Sequence, residues 1–406
     1  MRIFVITSSY PGSDGRIAGP FIKQLHDHLL DRCSILVLTP HYPGGVFSET
    51  LDGVRVIRYP FFIPFRLQVL TREGGLVYNF FSSYSGKLQL PLYFLNQYIF
   101  SFFICIWFRP DIIHSQWLLP QGLVGAVCSR IFSIPHISTI HSSEVTIIKK
   151  MRFLKWLTRF IIKQTDIIVS VSRHRLFELF SMEMLDSIKN QIKWYIIPNG
   201  VNERFYEEIN RFPSVGEGNK TLTLLYIGRL QKIKGVNYLI RAIPIICSRY
   251  PGISLQIIGS GSDRDELMQL SKQINVNENI HFHGMVKPDD LPRVYHTADI
   301  IVFPSITDEH GFTEGLPVVV LEALAAGKPI IATRIPGVCE IIEDEVNGLL
   351  VDEKSPEQIA DAVIRLIEDE SLRMKIQTNA RISAQRYRWK DISDQYYTLY
   401  QEMIGS

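Results

Sequence analysis

The sequence predicts an α/β protein with two domains, each built on a parallel sheet. Its 406 residues exceed what one hydrophobic core usually serves, which favours two domains. Strand-like apolar runs alternate with amphipathic segments through both halves, which is typical of parallel sheets connected by helices. A polar stretch with proline and glycine separates the halves. We therefore predict a first domain over 1–203, a linker over 204–220 and a second domain over 221–385.

The strand signal is a short run of β-branched or aromatic residues bounded by turn formers. In the first half it covers Ile3–Ile6, Cys33–Leu38, Val54–Arg58, Asp111–His114, His136–Thr139, Asp166–Val171 and Trp194–Ile197. In the second half it covers Leu222–Ile227, Ser254–Ile258, Ile280–His283, Ile300–Phe303, Ile330–Thr333 and Leu349–Val351. The tail over 386–406 has a helical, aromatic pattern, and we expect it to pack back on the first domain.

Composition excludes several classes of protein. Charged residues are 21% and hydrophobic residues 46% of the chain, a balance typical of a globular protein and not of a disordered one. A net charge of +2 does not favour nucleic-acid binding. The five cysteines form no C-x-x-C pair, which argues against a zinc ribbon or a disulfide framework. The N-terminus lacks the apolar run of a signal peptide, so we expect a cytoplasmic protein.

The run Leu90–Phe108 is strongly apolar and close to the roughly 20 residues that a membrane-spanning helix needs. It also contains Pro91, Asn96, Gln97 and Ser101, and Arg109-Pro110 ends it. These polar residues favour a helix that is buried in the domain or grazes a membrane over one that spans it.

The segment from Glu314 to Pro329 predicts a phosphate site at the start of a helix. Pro317 suits the first turn of a helix, and Gly327 suits its end. The free amides and the positive dipole end at a helix start attract an anion. Glu314 and Glu322 are acceptors suited to sugar and ribose hydroxyls. The alternative is two surface glutamates that flank a helix.

A second cluster, Gly228 to Gly235, follows the first strand of the second domain. Open α/β sheets bind ligands at the carboxyl ends of their strands. Arg229 and Lys234 there would neutralise a diphosphate leaving group, the arginine by gripping two oxygens and the lysine as a point charge. The alternative is a solvated basic turn.

Together these motifs resemble retaining glycosyltransferase family 4, also called glycosyl transferases group 1, over nearly the whole chain. Besides the two clusters, the resemblance includes Ile258-Gly259-Ser260-Gly261, Phe282-His283-Gly284, Ala298-Asp299 and Phe303-Pro304-Ser305. The resemblance implies the GT-B architecture, in which two Rossmann-like domains with parallel sheets face a central cleft.

The resemblance also implies site residues. Arg229, Lys234 and Glu314 would act on the donor's diphosphate and sugar as catalytic groups, and Glu322 would hold the ribose. The remaining donor-binding positions would be the phosphate amides and the base-contacting turn, at Gly228, Val286, Gly315, Leu316, Val318 and Val319.

In the first domain, the segment from His141 to Glu144 resembles the family's H-G-S-D motif, with Ser142 and Glu144 replacing its glycine and aspartate. The resemblance implies that His141 faces the donor sugar; the alternative is a structural histidine. The loop with Gly15 and Gly19 resembles the glycine-containing loop that approaches donor phosphate or acceptor. Its alternative is a flexible turn between a strand and a helix.

Two further patterns carry weaker hypotheses. Asp263-Arg264-Asp265 spells the D-x-D motif of metal-binding glycosyltransferases, but it opens a helix, where acidic residues act as caps, so we predict no metal site. The basic, aromatic helix predicted over 149–163 suits an anionic membrane surface and a lipid-linked acceptor. The alternative, which the sequence favours equally, is an ordinary helix packed on the sheet at the edge of the cleft.

The predicted function is retaining, metal-independent transfer of a hexosyl or N-acetylhexosaminyl group. The donor is a nucleotide sugar, and the acceptor is a hydroxyl of a glycan or lipid-linked molecule in cell-surface polysaccharide or glycolipid assembly. No cofactor is expected, and the enzyme would work in the cytoplasm or on the inner face of the membrane. The alternatives are a nucleotide-sugar epimerase on the same fold and a non-catalytic partner that binds sugar or membrane.

Overall fold

The computed structural model describes residues 1–15, 18–72, 76, 79–80, 83–141, 144–207 and 222–405. The chain forms two compact units: Met1–Pro198 together with Trp389–Ser406, and Asn199–Arg388. The sequence placed the first boundary a few residues later, after 203. Asn199 onward belongs to the second unit because the Val201 amide donates to the carbonyl of Tyr387 at 2.7 Å. Most of the predicted linker, 208–220, lies outside the described residues.

The first unit contains an eight-stranded sheet. Its strands are β1 Arg2–Ile6, β2 Ser34–Pro40, β3 Ser48–Leu51, β4 Val54–Tyr59, β5 Ile112–Gln116, β6 His136–Ile140, β7 Ile167–Ser170 and β8 Lys193–Ile196. Their spatial order is β3-β4-β2-β1-β5-β6-β7-β8. Six of the neighbouring pairs are parallel, and the seventh, β3 with β4, is antiparallel.

The predicted parallel sheet of this unit carries one antiparallel strand, β3, at its edge. Asp52 and Gly53 both take positive φ, 47° and 95°, and form the tight turn between Leu51 and Val54. An Asp-Gly pair between two strands is a strong hairpin signal, because a turn with positive φ matches the twist of the strands. The signal was therefore present in the sequence.

Over the described residues before its boundary, the helices of the first unit are α1 Pro20–Asp27, α2 Tyr84–Phe108, α3 Gln121–Phe132, α4 Glu144–Lys150, α5 Arg152–Lys163 and α6 Arg173–Phe180. The single helix predicted over 149–163 is wrong, since the chain is extended at Met151. Ile148 and Ile161 both enter one buried cluster. Thirteen residues further along an unbroken helix, the two side chains would point about 140° apart, so burying both requires the break.

The second unit contains a six-stranded, wholly parallel sheet. Its strands are β9 Thr223–Ile227, β10 Ser254–Ile258, β11 Ile280–Gly284, β12 Ile300–Phe303, β13 Ile330–Thr333 and β14 Leu349–Val351, in the spatial order β11-β10-β9-β12-β13-β14. The order reverses between β9 and β12. The crevice outside the carboxyl ends of strands at such a reversal is where open α/β sheets bind ligands.

The later helices are α7 Arg204–Glu207, α8 Val236–Cys247, α9 Arg264–Gln273, α10 Leu291–Thr297, α11 Val318–Ala325, α12 Pro336–Cys339, α13 Pro356–Glu368, α14 Glu370–Ala384 and α15 Trp389–Gly405. Helix α15 belongs to the first unit. Its Trp389 is buried and donates from Nε1 to Gln24 Oε1 on α1 at 3.0 Å.

Each face of the first-unit sheet has its own core. Ile3 and Val5 of β1 pack with α1 and α15, on one face. Phe4 and Ile6 pack with α2 and α3, on the other. Successive side chains of a strand point to opposite faces of the sheet. The two sets of β1 side chains therefore show which helices lie on the same face.

Candidate active site

The loops that follow β9, β10 and β12 touch through their backbones. A Cβ at Gly235 would collide with the carbonyl oxygen of Pro304, and a Cβ at Gly259 with that of Gly228. Both Gly235 and Gly259 have positive φ, 63° and 132°. Glycine at these positions therefore lets the loops at the β9–β12 reversal come together.

Lys234 and Glu314 form an ion pair at this reversal. Lys234 ends the 3-10 turn Lys232–Lys234 after β9, and Glu314 lies in the loop after β12. Lys234 Nζ is 2.5 Å from Glu314 Oε1, and the side chains are only 12% and 15% exposed. The fold thus brings together two charges that are 80 residues apart in the sequence and largely shielded from solvent.

Tyr226 connects this pair to Arg229. Its buried hydroxyl donates to the Arg229 carbonyl at 2.9 Å. Burial raises the pKa of Tyr226 well above its ordinary value, the Glu314 carboxylate raises it further, and the exposed Arg229 guanidinium opposes them. The Glu314 carboxylate and the Arg229 guanidinium therefore both affect the pKa of Tyr226. Sequence reasoning missed Tyr226, although it is the penultimate residue of β9, directly before the Gly228 loop.

Helix α11 begins three residues after Gly315, at Val318. Pro317 is the N-cap residue, with φ −72° and ψ 109°, and not the first helical residue as predicted. The helix begins at Val318 and ends at Ala325, before Gly327 at φ 62°. Gly315 and Leu316 are buried, whereas Val318 and Val319 are partly exposed. The first amides of a helix lack an intrahelical acceptor, so this start offers donors to an anion beside the ion pair.

Glu322 lies one turn into α11 and is partly buried. Burial raises the pKa of its carboxyl to about 7, and the hydrogen bond from Tyr295 opposes the shift. The Tyr295 hydroxyl donates to Glu322 Oε2 at 2.7 Å, and its ring packs edge-on against Phe205 with centroids 5.2 Å apart. Tyr295 thereby orients one carboxylate oxygen. It is a second site residue that the sequence did not single out.

The turn after β11 carries Val286, which is partly exposed. Gly284 at φ 74° precedes it, and the Gly259 amide donates to the Gly284 carbonyl at 2.7 Å. This hydrogen bond fixes the turn against the loop after β10. No side-chain contact recorded among the described residues joins Val286 to the ion pair.

In the first unit, His141 follows β6 and is 8% exposed. Burial lowers the pKa of its imidazole to about 3, so the ring is neutral at physiological pH. Its ring packs against Phe21 and Trp117, with centroids 5.0 and 4.8 Å away. Nε2 lies 2.7 Å from Gln116 Oε1, an acceptor, so Nε2 carries the proton. Within the described part of the chain, Nδ1 has no hydrogen-bond partner.

A chain of hydrogen bonds links His141 to the C-terminal helix. Gln116 Nε2 lies 3.1 Å from His114 Nε2, and His114 Nδ1 lies 2.7 Å from the Tyr400 hydroxyl. All of these side chains are buried. Sequence reasoning missed Gln116 and His114, whose signal is a run of three buried polar residues at the end of strand β5.

Glu144 is buried at the start of α4, and its Oε1 accepts the His141 amide at 2.9 Å. The carboxylate therefore closes the turn after β6 and holds the backbone of His141. Ser142 and Ser143 lie outside the described residues.

The loop after β1 is hydrogen-bonded to the edge hairpin and to Tyr42, which follows β2. The Ser13 amide donates to Glu49 Oε2 at 3.1 Å, and the Tyr42 hydroxyl donates to Asp14 Oδ1 at 3.0 Å. Gly15 has φ 86° in open space, and Gly19 is the N-cap of α1 at φ 61°. The structure thus separates the roles of the two glycines, one in an exposed turn and the other at a helix start.

The comparisons identify the family. The family described as "Glycosyltransferase Family 4" matches residues 18–205, and that described as "Glycosyl transferases group 1" matches 207–383. An uncharacterised glycosyltransferase of Methanocaldococcus jannaschii is 32% identical, over 100% of both chains. This chain belongs to the family 4 glycosyltransferases. The family predicted from the sequence is confirmed.

Solved structures extend the likeness to the fold of this glycosyltransferase. Sucrose-phosphate synthase of Thermosynechococcus elongatus superposes with a TM-score of 0.77 at 20% identity, over 100% of this chain and 99% of that one. HepE of Anabaena in complex with UDP-glucose gives 0.70 at 18% identity, over 99% and 100%. The predicted GT-B fold is therefore confirmed.

The D-x-D segment of this glycosyltransferase shows no metal-binding geometry. Asp263 is the N-cap residue of α9, but its Oδ1 accepts from the Ser262 hydroxyl at 2.7 Å, and no side-chain cap to a helix amide forms. The predicted capping role is wrong in that detail. The Asp265 side chain is 99% exposed. Over the described ranges, no group of three or more histidine, cysteine, aspartate or glutamate residues is arranged to hold a metal ion.

Proposed function

We propose that this glycosyltransferase moves a sugar from a nucleotide-sugar donor to a hydroxyl, with retention of configuration and without a metal ion. The observation that carries the proposal is the Lys234–Glu314 ion pair, which lies at the β9–β12 reversal next to the start of α11. The UDP-glucose complex of HepE supports a nucleotide sugar as the donor.

The second unit supplies what a departing diphosphate requires. Negative charge grows on the leaving group as the glycosidic bond breaks, and preorganised cations and amides lower the barrier where that charge develops. Arg229 grips two phosphate oxygens, Lys234 contributes a point charge, and the amides of Val318 and Val319 complete the cradle. Glu314, beside Lys234, accepts hydrogen bonds from hydroxyls of the donor sugar.

The nucleoside end of the donor lies along α11. The Glu322 oxygen that Tyr295 leaves unoccupied accepts from the ribose diol. Gly228 lets the backbone approach the ligand closely, and the turn at Val286 contacts the base.

His141 contributes a neutral acceptor. With Nε2–H engaged by Gln116, Nδ1 accepts a hydrogen bond from a sugar hydroxyl. An imidazole whose pKa is about 3 is a weak base, so it does not take the proton of the acceptor hydroxyl. This supports a front-face route in which a donor phosphate oxygen takes that proton.

The transferred group is a hexosyl or N-acetylhexosaminyl residue. The acceptor is a glycan or a lipid-linked molecule in cell-surface polysaccharide or glycolipid assembly, on the cytoplasmic side of the membrane. Gly15 and Gly19 shape the first-domain loop that the acceptor or donor phosphate approaches.

A thermal-shift screen tests donor binding. UDP-, GDP- and ADP-linked sugars are added without metal and with a chelator, and one nucleotide class should raise the melting temperature equally in both conditions. A shift that requires a divalent ion would overturn metal independence. The absence of a shift with every nucleotide sugar would remove the donor assignment.

Product analysis tests the reaction class. With donor alone, the proposal expects only slow hydrolysis, whereas an epimerised nucleotide sugar would establish the epimerase alternative. With donor and acceptor, the anomeric proton coupling in the product should match that of the donor. An inverted anomer would exclude retention.

A further inference from the structure

Helix α2 differs from an ordinary surface helix on both of its faces. Its buried face is mixed, with the polar residues Gln89, Gln97 and Ser101 beside Tyr93, Ile104 and Cys105. Its outward stripe is apolar and continuous, with exposed fractions of 74% for Leu88, 41% for Leu92, 53% for Leu95, 38% for Ile99, 60% for Phe103 and 48% for both Ile106 and Trp107. A helix on a soluble domain normally buries its apolar stripe and exposes its polar one.

Both sides of this arrangement cost free energy in water. The side-chain amide of Gln97 and the hydroxyl of Ser101 are buried without a hydrogen-bond partner among the described residues. Burial of an unpaired polar group is unfavourable, and so is a contiguous exposed apolar patch. Apolar surroundings outside the helix would remove the second cost and explain why the apolar stripe is turned outward.

The charged side chains within α2 and directly after its end are cations. Lys87 is the single charged side chain within α2, and Arg109 follows the end of the helix. The Arg55 guanidinium lies 4.8 Å from the ring centroid of Trp107, at the same end. No aspartate or glutamate occurs from 84 to 110. Cations at both ends of an apolar stripe complement anionic lipid headgroups.

Helix α5 covers the same face of the first-unit sheet as α2. Helices α2 and α3 share one buried cluster, and α3 and α5 share the next. On α5, Phe153 and Trp156 are 65% and 63% exposed with their rings stacked, and Arg152 and Lys163 are exposed beside them. The predicted basic face of α5 is interrupted, because Arg159 is bound to the Met184 carbonyl and the Ser187 hydroxyl.

From these observations we infer that the outward stripe of α2, together with the exposed end of α5, binds the surface of an anionic phospholipid bilayer. Helix α2 has 25 residues and the composition of a membrane-crossing helix, with a length of about 37 Å. It lies in the plane of the bilayer surface because its buried face, which carries Gln89, Gln97 and Ser101, is packed against β2, β4 and α3. Leu95 and Phe103 enter the boundary between headgroups and acyl chains. This binding does not depend on the transfer reaction.

Vesicle flotation of the full chain tests the inference. The wild type should float with vesicles of equimolar phosphatidylcholine and phosphatidylglycerol, and weakly with phosphatidylcholine alone. The double variant L95Q/F103Q should bind the mixed vesicles at least about tenfold more weakly, since it removes apolar contact area. The matched control is M374Q/I382Q on α14, whose two side chains are 59% and 66% exposed.

Other outcomes overturn the inference. If L95Q/F103Q floats like the wild type, α2 does not contact lipid. If that variant converts a dimer to a monomer in analytical ultracentrifugation and keeps vesicle binding, the stripe binds a second copy of the chain. If alkaline carbonate fails to release the wild type from vesicles, the helix is inserted and does not lie on the surface. Circular dichroism and the melting temperature without ligand establish that each variant is folded, so this test can be interpreted even if the transferase proposal fails.

Discussion

The two sheets of this glycosyltransferase place different chemistry at their strand ends. In the second unit, the loops after β9 and β12 bring together a partly shielded ion pair, Lys234 with Glu314. In the first unit, the ends of β5 and β6 hold a neutral, buried chain through Gln116 and His141. Similar architecture thus yields a charged cluster in one unit and a neutral cluster in the other, because the residues that follow the strands differ. The proposal assigns phosphate to the first cluster and sugar hydroxyl groups to the second.

The largest expected effect is on the charged side. Lys234→Ala should lower kcat by about a thousandfold, because it removes a cation that meets the charge on the leaving group. Steady-state transfer rates measure this effect. Lys232→Ala, an exposed lysine two residues earlier in the same turn, is the control and should retain the wild-type rate. Equal rates for the two variants would remove Lys234 from the site.

In the neutral cluster of the first unit, the expected fall in kcat is about a hundredfold, which is smaller than the fall expected for Lys234→Ala. His141→Ala removes the acceptor that the proposal gives to a sugar hydroxyl, and kcat should fall accordingly. Because burial lowers the pKa of His141 to about 3, its ionisation should not produce an acid limb in the wild-type pH profile above pH 5. An acid limb near pH 6 that disappears in the variant would contradict the neutral role.

The next effect, about tenfold, concerns Glu322. Burial raises the pKa of its carboxyl to about 7, and the ionised form is the better acceptor for ribose. The Kd of a nucleotide sugar should therefore be about tenfold higher at pH 6 than at pH 8 by calorimetry. Glu322→Gln should bind more weakly and without this pH dependence. The same dependence in Glu322→Gln would assign it to another group.

The same carboxyl also sets a trend in stability. The folded protein retains a proton that the unfolded chain releases above its ordinary pKa of 4.5, so the raised pKa lowers the free energy of unfolding between about pH 4.5 and 7. Denaturant titrations should show that Glu322→Gln loses less stability over this interval than the wild type does. A wild type and variant with parallel pH dependence would contradict the shift.

The smallest expected effect tests how far the hydrogen-bond chain from His141 extends toward Tyr400. Tyr400→Phe removes the hydroxyl that contacts His114 and should lower the free energy of unfolding by about 1 kcal/mol. We expect kcat to fall only a few-fold, because Gln116 still holds His141. Tyr397→Phe is the matched control: its ring lies under Arg32 and keeps that contact without the hydroxyl. If the two variants have equal free energies of unfolding, the hydrogen-bond chain through His114 does not position His141.

Most of the strands were predictable from the sequence because each is a short apolar run that ends at turn formers. The second-unit strands Ser254–Ile258, Ile300–Phe303 and Ile330–Thr333 have the predicted bounds. The edge strand Ser48–Leu51 was not predicted, since three of its four residues are polar and only the turn at Asp52-Gly53 signals it. The break at Met151 was not found because it follows from burying Ile148 and Ile161 together.

The sequence by itself determined the alternation of strands and helices, the family and the residue types needed for a diphosphate, because these are local patterns. Tertiary structure alone decided that Lys234 pairs with Glu314, that Tyr226 and Tyr295 support the site, and that Gln116 holds His141. It also decided that α2 turns its apolar stripe outward. The physical reason is that pKa shifts, ion pairs and exposed faces depend on neighbours that are distant in the chain, and hydrophobic periodicity does not specify them.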